Sequence, residues 1–300
     1  MMKKIGEFLL AKEMNAIVVA FLAALLPVFS VPTGFIATII VALVTLQKGP
    51  KSGFWVLSWV ALPAVSMLFL HRLGMIDVLF FRSLAIWIFA SLFYRLRNWS
   101  RLLELVAVVC ALLIALLHII KPDIEQWWVT QLTTYIQHVI AASHWRIAVT
   151  PSEFAQRLAP MITGVAAFFF ASGVLFELMI ARWWQTYLVN SGEFGKEFIA
   201  IRVERFFALE MVVLLVLMLI NIKIATDIFP IVLLPFCVAG LSIVHFYARQ
   251  KKSLIYFLVV IYVGLIFVPV VIVSILSLLA FIDTWRHFRR SVSATVERKI

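Results

Sequence analysis

Most of this chain is arranged as long apolar runs with few charges inside them, and lysines and arginines collect between alternate runs. Stretches such as 106–120 and 255–273 carry almost nothing polar. Such segments are stable where water is absent, provided each backbone N–H and C=O finds a partner within its own helix. Hydrophobic residues make up 64% of the 300 positions and charged residues 14%, with a mean hydropathy of +1.07. A soluble domain has about 45–50% and about 25% respectively. The expectation is an all-α, polytopic helical membrane protein.

The apolar runs fall at 14–29, 33–47, 54–70, 75–94, 102–120, 158–181, 206–225 and 228–247, followed by a long run at 253–284. The stretches 14–47 and 253–284 exceed one crossing of about 20 residues. Prolines interrupt them, Pro27 and Pro32 in the first and Pro269 in the last. Each is therefore either a pair of short helices or one long bent helix.

Charge arbitrates between these threadings. With the N-terminus cytoplasmic and both long stretches folded as hairpins, 20 of the 26 lysines and arginines fall on the inner side. The six exceptions are Arg72, Arg82, Lys121, Arg146, Arg157 and Lys223. Such a bias favours ten crossings with both termini cytoplasmic, with eight or nine as the alternatives. The net charge of +11 is then a topology determinant and not a nucleic-acid footprint. The first run has no small-residue cleavage site, so it reads as a retained span.

The chain thus reads as a single integral membrane domain over 1–300, with three polar parts. Segment 121–157 is external and amphipathic, with Ile124, Trp128, Ile136 and Val139 near one face and Gln126, Thr130, Thr134 and Gln137 on the other. Thr150-Pro151-Ser152-Glu153 within it is a capping box with proline at the first helical position. Segment 182–205 is a cytoplasmic loop and interfacial helix, in which Asn190 and Glu193 form a second cap signal for a helix running into the seventh span. Residues 285–300 form a basic cytoplasmic tail.

Two groups of residues are candidates for function. The first is Arg182, Trp183, Trp184, Gln185, Asn190, Gly192, Phe194, Glu197 and Arg202. By default a tryptophan pair beside arginine at a span end is a membrane anchor; alternatively, the turn at 190–195 holds Gln185, Glu197 and Arg202 toward a partner or ligand. The second is the intramembrane polar set Arg82, Glu177 and Glu210. Glu177 and Glu210 read as paired with the nearby Arg182 and Arg205. Arg82 reads as snorkelling or paired with Asp77, toward the opposite leaflet from the glutamates. Ala16, Ala20 and Ala24 recur every fourth residue and suit close helix packing.

No catalytic residue, cofactor or metal is indicated. The six histidines lack His-Glu-x-x-His spacing, and neither a phosphate loop, a nucleophile elbow nor an aspartate-rich magnesium motif is present. Cys110 and Cys237 lie in separate apolar runs.

The stretch ARWWQTYLVNSGEFGKEFIAIRVER at 181–205 resembles the loop of the YybS-like family of bacterial multi-pass membrane proteins, in which an Arg/Trp-rich span end precedes a Gly-Phe turn, then Glu-Phe and Arg. Similar too are Met14-Asn15-Ala16, the run 41–46 before Lys48-Gly49, and Asp283-Thr284-Trp285 before Arg289-Arg290. Here the turn reads Asn190-Ser191-Gly192-Glu193-Phe194 where the family has Pro-Gly-Gly-Phe.

At fold level that family is similar to the substrate-binding S components of energy-coupling-factor transporters. The resemblance implies a transport subunit of a bacterial inner membrane that lacks its own ATPase, binds a small molecule and meets other membrane subunits. In S components an alanine stripe on the first span meets the coupling protein. Two rival readings remain: a scaffold that docks a partner through 182–205, and a membrane-embedded enzyme or lipid transporter using Glu177 and Glu210.

Overall fold

Inside lipid a backbone has no water to bond, so the apolar runs must close their hydrogen bonds within helices. The computed structural model describes residues 2–29, 31, 33–69, 73–143, 150–189, 192–286 and 288–289. The described residues form helices, with no strand among them. In chain order the helices are α1 (Met2–Ala11), α2 (Glu13–Leu25), α3 (Gly34–Lys48), α4 (Pro50–Phe69) and α5 (Leu73–Leu96). Next come α6 (Trp99–Ile120), α7 (Ile124–Ser143), α8 (Pro151–Leu158), α9 (Ile162–Val189) and α10 (Glu193–Ile199). The last four are α11 (Arg205–Leu219), α12 (Lys223–Gln250), α13 (Ile255–Phe267) and α14 (Pro269–Arg286).

Several apolar helices of spanning length make this a multi-pass membrane protein. Among the described residues five segments pass on length and composition: Leu79–Leu96, Trp99–Ile120, Pro151–Val189, Lys223–Gln250 and Pro269–Arg286. A sixth is counted if α1 and α2, bent by 114° at Lys12, are one broken span. The sequence led us to expect more crossings; of the expected spans outside this count, α4 has 20 residues and the other three are short. α3 has 15 residues, α11 has 15 and α13 has 13, each less than the ~20 that cross a bilayer.

Both long apolar stretches break at their prolines. Pro27 sits in a short 3-10 turn after α2, and Thr33 Oγ1 donates to Ala23 O at 2.8 Å across the break. Pro269 opens α14, where its missing N–H costs no helical bond. A Cβ on Gly264 would lie 2.7 Å from Ile272 Cγ1, although eight residues of straight helix span about 12 Å. The chain therefore turns back at Val268–Pro269, and Ile261 and Leu276 join Val244 of α12 in one buried cluster.

Two compact units divide the chain. Unit 1 holds Met1–Leu102 and Phe170–Ala200, and unit 2 holds Leu103–Phe169 and Ile201–Ile300. In unit 1, α2 packs on α3 and α4, and Ala16, Ala20 and Ala24 are fully buried. The alanine face is thus occupied by the chain's own helices. Unit 2 is built on α12 against α14. A Cβ on Gly240 would lie 2.9 Å from Leu276 Cα and would overlap the Leu276 carbonyl, so any side chain there would force the two helices apart.

The local signals are found in place. Thr150 Oγ1 accepts from Glu153 N and the Glu153 carboxylate accepts from Thr150 N, completing the capping box of α8. The amphipathic helix is α7, whose Trp128 donates through Nε1 to Thr163 Oγ1 at 2.9 Å.

One expectation fails: the helix after the turn does not run into the seventh span. α10 stops at Ile199, and 201–204 is non-helical before α11. Within unit 2 the carbonyls of that segment find side-chain donors instead. Ile201 O accepts from Arg289 Nη2 at 2.8 Å and from Ser242 Oγ at 3.3 Å, and Val203 O accepts from Thr284 Oγ1 at 3.4 Å. Ile201 therefore lies beyond the helix that carries Phe194 and Phe198.

Candidate functional site

Unit 1 brings three helices to one buried charge. Glu177, on α9, is 3% exposed. Its Oε1 accepts from Arg82 Nε at 2.8 Å and lies 2.7 Å from Arg82 Nη2, on α5. Its Oε2 lies 2.8 Å from the hydroxyl of Thr38, on α3. Gly173, one turn before Glu177, makes the approach possible: a Cβ there would lie 2.7 Å from Arg82 Nη2. The two partners are unequally covered, with 29% of the Arg82 side chain exposed against 4% for Glu177.

This arrangement corrects the pairing read from sequence. Glu177 pairs with Arg82, and Arg182 pairs elsewhere. α9 runs on to Val189, so Glu177 stands twelve residues, about 18 Å, before its end and not just inside the span end at 181. Arg82 stands fourteen residues, about 21 Å, before the end of α5. Both are mid-helix groups, not groups of opposite leaflets. The side chain of Asp77, the other partner considered for Arg82, lies outside the described residues. Glu210 belongs to unit 2 and is exposed on α11.

The residues of the 182–205 loop in unit 1 form a second network, which is turned inward. Arg182 Nε donates to Glu197 Oε2 at 3.1 Å, and Arg182 Nη2 pairs closely with Glu197 Oε1. Trp99 Nε1, at the start of α6, donates to the same carboxylate at 3.1 Å. Arg182 Nη1 donates to Gln185 Oε1 at 2.6 Å. Gln185 Nε2 in turn donates to Leu46 O at 2.8 Å and Gln47 Oε1 at 2.9 Å, at the end of α3. The network therefore fastens α10 and the ends of α3, α6 and α9 to one another. Gln185 is buried, so it is not held out toward a partner.

The aromatic residues of the loop divide between packing and exposure. Phe194 meets Trp99 edge-on at 6.2 Å. Trp184 Nε1 donates to Met2 O at 3.3 Å, whereas Trp183 is exposed and stacks on Tyr187. Gly192 adopts φ +94, in the left-handed region that favours glycine. Asn190 lies outside the described residues. Arg202 is half-buried within unit 2.

Sequence reasoning missed two polar clusters in unit 2. Asp227, on α12, is buried and accepts from Gly164 N at 2.8 Å, with His118 of α6 beside it. A carboxylate one turn inside an apolar helix was the available signal. Arg289, read as part of a cytoplasmic tail, is buried; it lies 2.9 Å from Asp283 Oδ2 and 3.0 Å from Ser242 Oγ. Burial lowers its pKa from the ordinary arginine value, and Asp283 opposes that shift. Residues 290–300 lie outside the described residues.

Compared with family models, curated proteins and solved structures, the chain matches none.

Proposed function

We propose that this chain is a non-enzymatic transport subunit of a bacterial inner membrane, with both termini cytoplasmic, which binds a small polar solute at Arg82 and draws energy from other subunits. The observation that carries this reading is a carboxylate, Glu177, buried mid-span and held by a guanidinium that remains partly open. Two well-packed apolar side chains would be as stable as a buried ion pair, or more so. Ionisable groups inside spans generally mark solute or ion paths.

The guanidinium is a planar fork that matches carboxylate or phosphate groups. A solute carrying an acidic group would compete with Glu177 for it. The resemblance to S-component-like proteins supports the same reading. With the alanine face of α2 covered, contact with a coupling subunit would use another surface. The docking reading has less support, because Gln185 and Glu197 are bonded within unit 1.

Native mass spectrometry of the protein, taken from its own membranes in mild detergent, tests the proposal. The expected result is a bound small solute, a co-purifying transport subunit, or both. Recovery of the bare chain, with neither, would overturn it.

A further inference from the structure

Where α6 ends and α12 begins, in unit 2, an imidazole faces a carboxylate. His118 Nε2 lies 3.6 Å from Asp227 Oδ2. The other ring nitrogen, Nδ1, lies 3.0 Å from the carbonyl oxygen of Ile114. A carbonyl only accepts, so Nδ1 carries the hydrogen, and in the neutral ring Nε2 is bare. Asp227 Oδ1 accepts from Gly164 N at 2.8 Å, and the hydroxyl and N–H of Thr163 also bond to this carboxylate. Nε2 and Oδ2 face each other, and both accept when deprotonated. Between them there is place for one proton.

We propose that His118 and Asp227 form a proton-binding site, filled through the imidazole from the water at that end of unit 2. The exposures fit this route, since the His118 side chain is 24% exposed and the Asp227 side chain 3%. With the proton bound, an imidazolium and a carboxylate attract and tie α6 to α12. Without it, two lone pairs face each other and that tie is lost. Asp227 also holds the first turn of α9 through Gly164. A Cβ on Gly164 would overlap the Asp227 carbonyl, so α9 and α12 are already in closest contact there. Proton occupancy therefore acts on the junction of three helices.

Lys121 and Asp123 follow His118 in the turn into α7, and Lys121 Nζ lies over the Trp127 ring at 4.7 Å. Lys223, one turn before Asp227, is taken by Glu125 of α7 at 2.9 Å, and both are exposed. The 3-10 turn Ala159–Met161, the first turn of α9, and α13 carry no charge. Asp283 lies with Arg289 beside Ser242, fifteen residues along α12 from Asp227 and so about 22 Å away. Arg286 follows Asp283 on α14, and Arg205 follows the 201–203 segment held at the same end. Glu210 is exposed on α11.

Nuclear magnetic resonance on the full-length protein in lipid nanodiscs, labelled at histidine, aspartate and glycine, tests this independently of any transported solute. Over the pH range in which the protein stays folded, His118 Nε2 is expected to change between bare and protonated forms. The Asp227 carboxyl carbon and the Gly164 amide are expected to move in the same step. In His118→Gln the step at Gly164 should vanish, and the wild-type coincidence decides the matter even if that variant does not fold. A His118 Nε2 that keeps one form across the range, or a Gly164 amide that ignores its titration, would overturn the proposal.

Discussion

Glu177→Ala is expected to destabilise unit 1 by about 3 kcal/mol, because it leaves the Arg82 guanidinium inside a spanning bundle without its carboxylate. The figure is set at the low end for a broken buried pair, since Arg82 is partly open and its long stem lets the charge reach polar surroundings. Thr38 would lose its acceptor as well, though its hydroxyl also lies 2.8 Å from Phe35 O. The double variant Arg82→Met/Glu177→Leu removes both charges and fills similar volume, so it should unfold close to wild type. Unfolding by SDS titration in mixed micelles measures both. If Glu177→Ala unfolds with wild type, the pair is not holding α5 to α9.

A second large effect is expected at Glu197. One carboxylate accepts from Arg182 and from the Trp99 indole, and both donors are buried. Glu197→Ala strands them, at a cost of about 3 kcal/mol for the arginine with a further contribution from the indole. α10 has only 7 residues and no side-chain cap, so it has little to keep it helical once released. Hydrogen exchange over 193–199 should accelerate sharply while α12 stays protected. Unchanged exchange in that segment would show that the helix is held by something other than this network.

How much of this was legible in the sequence differs by level. The helical class followed from apolar runs that only helices can carry through lipid. The breaks followed from Pro27 and Pro269, and the α8 start from Thr150 and Glu153, because caps and prolines act within a few residues. The α10 stop was not legible, since it depends on Ser242, Arg289 and Thr284 supplying donors from distant parts of the chain.

The charge pairing had one local clue. Glu177 and Arg182 are five residues apart, which places them about 140° apart around a helix, whereas neighbours are three or four apart. That spacing argues against their pairing, but nothing local points to Arg82, 95 residues away. Asp227 was missed for the same reason. Its role depends on Gly164 and His118, brought to it by other helices.

The central claim is that Arg82 and Glu177 are retained for binding and not for stability. The most direct test is native mass spectrometry on wild type beside Arg82→Met/Glu177→Leu, prepared identically from the same membranes. The account predicts a small-solute adduct on wild type and none on the folded double variant. Equal solute occupancy on the two proteins would contradict it.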